Sequence, residues 1–208
     1  MLSALTREGR ASNGENFREE TMREKLTAMR LILRKENFMN NFSRDTSTGK
    51  LFELRAKGKA LGIPLHKKEL GKYVEKQTGK YYSLTQIRPN KKKNIPDKPL
   101  ERAEMFKGQY ILTRALEPDE AYLDIENSTL TIFEKKTQNS SGSVDEKLQT
   151  CPFKIQQYRK VADALGIKTV YYIFILSEYF NHAYYQEHLD FIKSVPGCDY
   201  FFVKDEGD

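Results

Sequence analysis

Residues 118–136 read PDEAYLDIENSTLTIFEKK, and the organisation of the chain turns on them. Residues 121–133 contain two short runs rich in strand-forming side chains, joined at an Asn127-Ser128 turn, which is the pattern of a β-hairpin. Folding the hairpin brings Asp119 back beside Glu134. Side chains alternate along a strand, so Glu134 and Lys136 point to one face and Lys135 to the other. Leu130 and Ile132 share the parity of Glu134 and Lys136, so two charged groups close an otherwise apolar face. Asp119 follows a proline and can also cap a turn. Asp124, ten positions before Glu134, and Glu126 compete with it for the place opposite Glu134.

Downstream, TQNSSGS is a polar loop, and Ser143-Val144-Asp145-Glu146 has the spacing of a capping box that starts a helix. Pro152 either breaks that helix or sits at the start of a second one, because its missing N–H costs nothing in a first turn. Phe153, Ile155, Tyr158, Val161, Ala162 and Leu165 then recur at helical spacing up to Gly166. KTVYYIFIL, residues 168–176, is a β-branched and aromatic run expected to be a strand covered on both faces. A helix over 181–194 and a closing strand over 200–203 follow. From the hairpin onward the order is strand, strand, helix, strand, helix, strand, which predicts an α/β (α+β) chain with a mixed central sheet flanked by helices.

Upstream, Gln109 to Thr113 is a short apolar run expected to open this sheet. The spacing of Phe17, Met22, Leu26, Met29 and Leu33 predicts a helix over 15–40, after a loose segment 1–14. A second helix is expected over 51–61, closed by Gly62 and an Ile63-Pro64 break, and a third over 66–77. Residues 81–99, with three prolines and a lysine run, read as a turn or flap. The short helices here also admit a helix-turn-helix, with Ser83 to Ile87 opening a recognition element. The expected organisation is thus a flexible 1–14, a mainly helical basic region 15–104 and a core 105–208.

Charge is unevenly distributed. The net charge of the 208 residues is +6, yet residues 51–100 alone hold thirteen Lys or Arg against four Asp or Glu, a balance of +9. Nucleic acid is the commonest polyanion that such a segment meets, and Arg88, Asn90, Lys91, Lys92 and Lys93 are the candidate contacts, since Arg and Asn can read base edges and Lys can pair with phosphates. With 38% apolar and 31% charged residues, the composition is that of an ordinary globular protein. No stretch reaches the length of a membrane span, and the N-terminus lacks a long apolar segment, so neither a span nor a signal peptide is expected. Cys151 and Cys198 have no metal-type spacing, so a zinc site or disulfide framework is not expected and a cytoplasmic location is.

Two carboxylates and a lysine on one sheet face suit phosphodiester hydrolysis. One or two carboxylates hold Mg²⁺, which polarises the phosphoryl group and activates water, while an ammonium group offsets phosphate charge. Asp119 and Glu134 are the expected metal ligands, and Asp119, Glu134 and Lys136 the expected catalytic set. His66, His182 and His188 show no pairing that would build a histidine-based nuclease site.

This constellation resembles the PD-(D/E)xK nucleases, and within them the type II restriction endonucleases. Pro118-Asp119 and Glu134-Lys135-Lys136 stand in the motif's order, with the acidic positions 15 apart. Gln138 extends the second half to the Glu-x-Lys-x-Gln form of one subgroup and is a candidate contact to DNA. SGSVDEKLQT, residues 141–150, and the helix and strand after it are similar to the family's common core, so the resemblance covers about 109–203. It implies a restriction-endonuclease-like fold and Mg²⁺-dependent, sequence-specific cleavage of double-stranded DNA, with a cognate DNA methyltransferase as functional partner. Cutting both strands at a symmetric site calls for two active sites, hence a homodimer. The rival expectations are a structure-selective repair or resolvase nuclease on the same fold, and a non-catalytic helix-turn-helix regulator.

Overall fold

The computed structural model describes residues 62–137 and 144–203. The expected segment 1–14, the helices over 15–40 and 51–61, the capping residue Ser143 and Gln138 lie outside the described residues. All described residues belong to one compact unit, Thr46–Val203.

The element order is β1 (Ile63–Leu65), α1 (Lys68–Thr78), β2 (Tyr81–Ser83), α2 (Pro99–Met105), β3 (Tyr110–Leu112), β4 (Glu120–Asp124), β5 (Thr129–Lys136), α3 (Val144–Leu148), α4 (Cys151–Ala164), β6 (Thr169–Ser177), α5 (Gln186–Ser194) and β7 (Cys198–Val203). Five strands form a mixed sheet in the order β1-β4-β5-β6-β7. β1, β4 and β5 pair antiparallel, and β6 and β7 continue parallel to β5. Two parallel neighbours need a crossover between them, and α4 and α5 supply these, giving a mixed sheet flanked by helices.

One sheet face carries Ala121, Leu123, Leu130, Ile132, Val170, Tyr172, Phe174, Leu176 and Cys198, and it packs on Leu70 and Val74 of α1, Ile155, Tyr158 and Val161 of α4, and Leu189 and Ile192 of α5. Burying each such side chain contributes roughly 1.5–3 kcal/mol before entropy is counted, so this layer fixes the hairpin in register. Eight of the nine β6 residues are buried, as expected for a strand covered on both faces. Cys151 and Cys198 are buried as free thiols.

The chain before the hairpin departs from the expectation at four places. Ile63-Pro64 is not a break: residues 63–65 form β1, an edge strand of the central sheet, where a proline's missing donor is tolerated. Gln109 to Thr113 does not open the central sheet, because Tyr110–Leu112 pairs with Tyr81–Ser83 in a separate two-stranded sheet. The helix-turn-helix reading of Ser83 to Ile87 fails. α1 ends at Gly79, whose φ of 68° turns the chain out of the helix. Ser83 then lies in β2, and Leu84–Gln86 is a single 3₁₀ turn closed by a reciprocal Ser83–Gln86 capping box. Finally, Pro99, read as the last residue of a flap, opens a helix that was not expected, α2, where it takes a first-turn position that needs no donor.

The link from β1 to α1 is strained. Lys67 adopts φ 39° and ψ −107°, and Glu69 N–H donates to the His66 carbonyl at 2.7 Å, a turn that normally asks for glycine at this position. Holding a side chain there costs about 1–3 kcal/mol. Lys67→Gly is therefore expected to raise stability by about 1 kcal/mol, read as a higher midpoint in thermal unfolding. The strain holds a useful contact: Lys67 N–H donates to the Pro118 carbonyl at 3.1 Å, tying β1 to the residue before Asp119.

Candidate active site

In the hairpin, Glu120 pairs with Phe133 and Asp124 with Thr129, so one further step of the register sets Asp119 opposite Glu134. The contact is direct at the backbone: Lys135 N–H donates to Asp119 Oδ2 at 2.7 Å. Asp119 is half-buried beside a buried Pro118. Glu134 and Lys136 share the face of Leu130 and Ile132, and Lys136 Nζ donates to Glu134 Oε1 at 2.8 Å and to the Lys135 carbonyl at 3.0 Å. The three residues singled out in the sequence thus stand together at the carboxyl end of β5, where the parallel strands also end. In mixed and parallel sheets that edge is the usual site of ligand binding.

Asp124 does not join them. It sits at the far end of the hairpin, five positions along β5 from Glu134, on the order of 17 Å at the rise of a strand. Both its carboxylate oxygens accept from Asn127 in the turn, at 2.9 and 2.7 Å. Glu126 is exposed in the same turn.

Lys135 points to the opposite face, where its Nζ lies 3.3 Å from Glu120 Oε1. Glu120 is buried, and Tyr122 Oη donates to its other oxygen at 3.1 Å. This pair braces the back of the hairpin and takes no part in the acidic cluster.

Sequence reasoning missed Lys154. It stands in the first turn of α4, where its Nζ donates to Glu134 Oε1 at 2.9 Å, the oxygen that also accepts from Lys136, and lies 5.8 Å from the centre of the Tyr172 ring. Helix side chains lean towards the N-terminus, so a first-turn lysine reaches over the helix end onto the strand ends below. A helical lysine between Phe153 and Ile155 reads as ordinary solvated surface, and only the position of α4 above β5 reveals it. Burial works against the ionised form of Glu134, but the hydrogen bond from Lys136 and the charges of Lys154 and Lys136 outweigh it and hold the carboxyl below the usual carboxylate range.

That depression has a pH signature. The unfolded chain takes up a proton on Glu134 first, so the stabilisation is complete above the ordinary carboxylate pKa and is lost as pH falls through the lower folded value. Glu134→Gln is expected to cost roughly 1–3 kcal/mol at pH 7, and the gap between its unfolding midpoint and that of the wild type should close as the solution is acidified. Melts from pH 7 to about pH 3 would check this.

Arg88, Lys91, Lys92 and Lys93 are all exposed, on the loop between β2 and α2. Asn90, itself exposed, caps their 3₁₀ turn: its Oδ1 accepts from Lys93 N–H at 3.1 Å. Comparison with known proteins returns nothing: no family model, no curated protein and no solved structure matches the chain. The site therefore rests on its own chemistry.

As a metal centre that chemistry is sparse. Among the described residues no group of three His, Cys, Asp or Glu side chains could hold an ion. Two carboxylates remain, beside two lysines, and that number of carboxylates is what Mg²⁺ commonly uses when it keeps several waters and binds a substrate phosphate. Among the described residues no helix is long and apolar enough to cross a membrane.

Proposed function

We propose that this protein is a Mg²⁺-dependent, sequence-specific endonuclease of double-stranded DNA, similar to the type II restriction enzymes in the PD-(D/E)xK group. The observation that carries the reading is the convergence of Asp119, Glu134 and Lys136 at the carboxyl end of β5, with Asp119 hydrogen-bonded to the strand that bears the other two. The sheet order supports it: an antiparallel hairpin carries the acidic residues, and a crossover helix leads to a parallel strand, as the resemblance implies.

In this reading Asp119 and Glu134 would hold Mg²⁺, which when bound supplies Lewis acidity at the phosphoryl oxygen and a more acidic water. Lys136, whose ammonium donates to Glu134 and to the Lys135 carbonyl, offers its one remaining hydrogen to the attacking water and its charge to the phosphate. The exposed Arg88 and Lys91 to Lys93 contact the phosphate backbone, so binding weakens steeply with salt. Gln138 stands two positions beyond Lys136 as a contact to DNA. Two protomers meet a symmetric site as a homodimer, and a methyltransferase of the same specificity protects the host DNA.

The test is digestion of a long duplex of known sequence by the purified full chain with Mg²⁺, followed by mapping of the ends. Discrete fragments with common ends are expected. Cleavage that follows branched structure instead of sequence would move the reading to a repair or resolvase nuclease. Binding without metal-dependent cleavage of any DNA would overturn it.

A further inference from the structure

Glu134 Oε1 accepts from two ammonium groups, Lys136 Nζ at 2.8 Å and Lys154 Nζ at 2.9 Å. A single carboxylate oxygen is thereby spent on two cations inside a site whose proposed task is to hold a third. With Lys154 included, the formal charges of Asp119, Glu134, Lys136 and Lys154 cancel. Without it the set carries one net negative charge.

The two lysines are not equivalent. Lys136 sits on the same strand as Glu134 and keeps a second acceptor, the Lys135 carbonyl at 3.0 Å. Among the described residues Glu134 Oε1 is the one hydrogen-bond acceptor of Lys154 Nζ, whose other contact is the face of Tyr172. Lys154 also stands in the first turn of its helix, at the positive end of the peptide dipoles, where a cation is disfavoured and acidic residues are the rule. A lysine kept in that place, with its side chain 24% exposed and turned inward to a carboxylate, is held there by Glu134.

We infer that Lys154 is a built-in counter-cation that occupies the Glu134 oxygen and competes with the divalent ion for it. It is a positioning residue for Glu134: its 2.9 Å hydrogen bond holds the carboxylate in place while no metal is bound, and its charge opposes the entry of a second cation there. This rests on the reading of Asp119 and Glu134 as metal ligands. It adds that the affinity of the site is set as much by α4 as by the hairpin.

The experiment is direct titration of the full chain with Mn²⁺, in the absence of DNA, on the wild type and on Lys154→Met, Lys154→Gln and Lys154→Arg. Methionine keeps the apolar stem over Tyr172, and glutamine serves where the methionine variant does not fold. Removing one full charge at contact distance is expected to tighten Mn²⁺ binding about tenfold or more, with arginine close to the wild type. Equal or weaker binding by both neutral variants, or no binding by any of the proteins, overturns the inference. The two readings fail separately. Tighter binding in the neutral variants with no cleavage of any DNA would leave the counter-cation standing and remove the nuclease. Normal cleavage by the wild type with unchanged Mn²⁺ affinity in the variants would do the reverse.

Discussion

Asp119→Asn and Lys136→Gln are each expected to lower the rate of metal-dependent DNA cleavage by roughly a hundred- to ten-thousandfold at saturating DNA and Mg²⁺, with little change in the affinity for DNA. The choice of substitution matters at position 119. Asp119 Oδ2 accepts the Lys135 N–H at 2.7 Å, so alanine would both delete a proposed metal ligand and orphan a backbone donor next to the site. Asparagine keeps an oxygen for that donor while it removes the charge and the second oxygen. At position 136, glutamine retains a donor but loses the ammonium that meets both Glu134 and the Lys135 carbonyl. Its hydrogen-bonding loss should appear as a small fall in unfolding midpoint, and its chemical loss as a large fall in rate. Single-turnover cleavage and thermal melts on the same preparations separate the two. Rates equal to wild type in both variants would remove Asp119 and Lys136 from the chemistry.

What could be read in advance follows from how far each signal extends along the chain. The hairpin was legible because alternation persists through residues 121–133 and because an exposed turn interrupts it once. The burial of β6 was legible for a similar reason: nine consecutive residues, TVYYIFILS, contain no group that would tolerate a solvated face except at the ends. β1 was not legible, since three residues beginning after a glycine and containing a proline hold less than one period of any pattern. What makes them a strand is their partner: Ile63 to Leu65 lie antiparallel to Leu123 to Ala121. β3 had an apolar run of the right kind, but nothing in Tyr110–Leu112 says which sheet it joins. At the site, Asp119, Glu134 and Lys136 belong to one local motif and came together as read. Lys154 belongs to it only through the packing of α4 over the sheet, a contact across twenty positions that no local spacing encodes.

The second large effect is expected where that unreadable strand begins. Gly62 has φ +96°, and a β-carbon placed on it would fall against the backbone of β4, in collision with the Leu123 carbonyl oxygen, 2.5 Å from the Leu123 carbonyl carbon and 2.7 Å from Asp124 Cα. Backbone in a sheet cannot yield as a side-chain tip does, so Gly62→Ala has to push β1 off its partner. A loss of about 3–5 kcal/mol is expected, from the collision and the positive φ together. Gly79→Ala isolates the second of these causes: its φ is +68° but nothing lies within 4 Å of the added carbon, so a cost of only about 1–2 kcal/mol is expected. Chemical denaturation of both variants measures the difference. The consequence for the site runs through Lys67, whose N–H meets the Pro118 carbonyl just after β1 ends. With β1 displaced, that tie is lost and Asp119 keeps only its bond to Lys135 N–H. Gly62→Ala should therefore lose cleavage activity at temperatures where it is still folded, whereas Gly79→Ala, at the far end of α1, should not. Equal stability losses in the two variants would mean that β1 does not press on β4 as the structure has it.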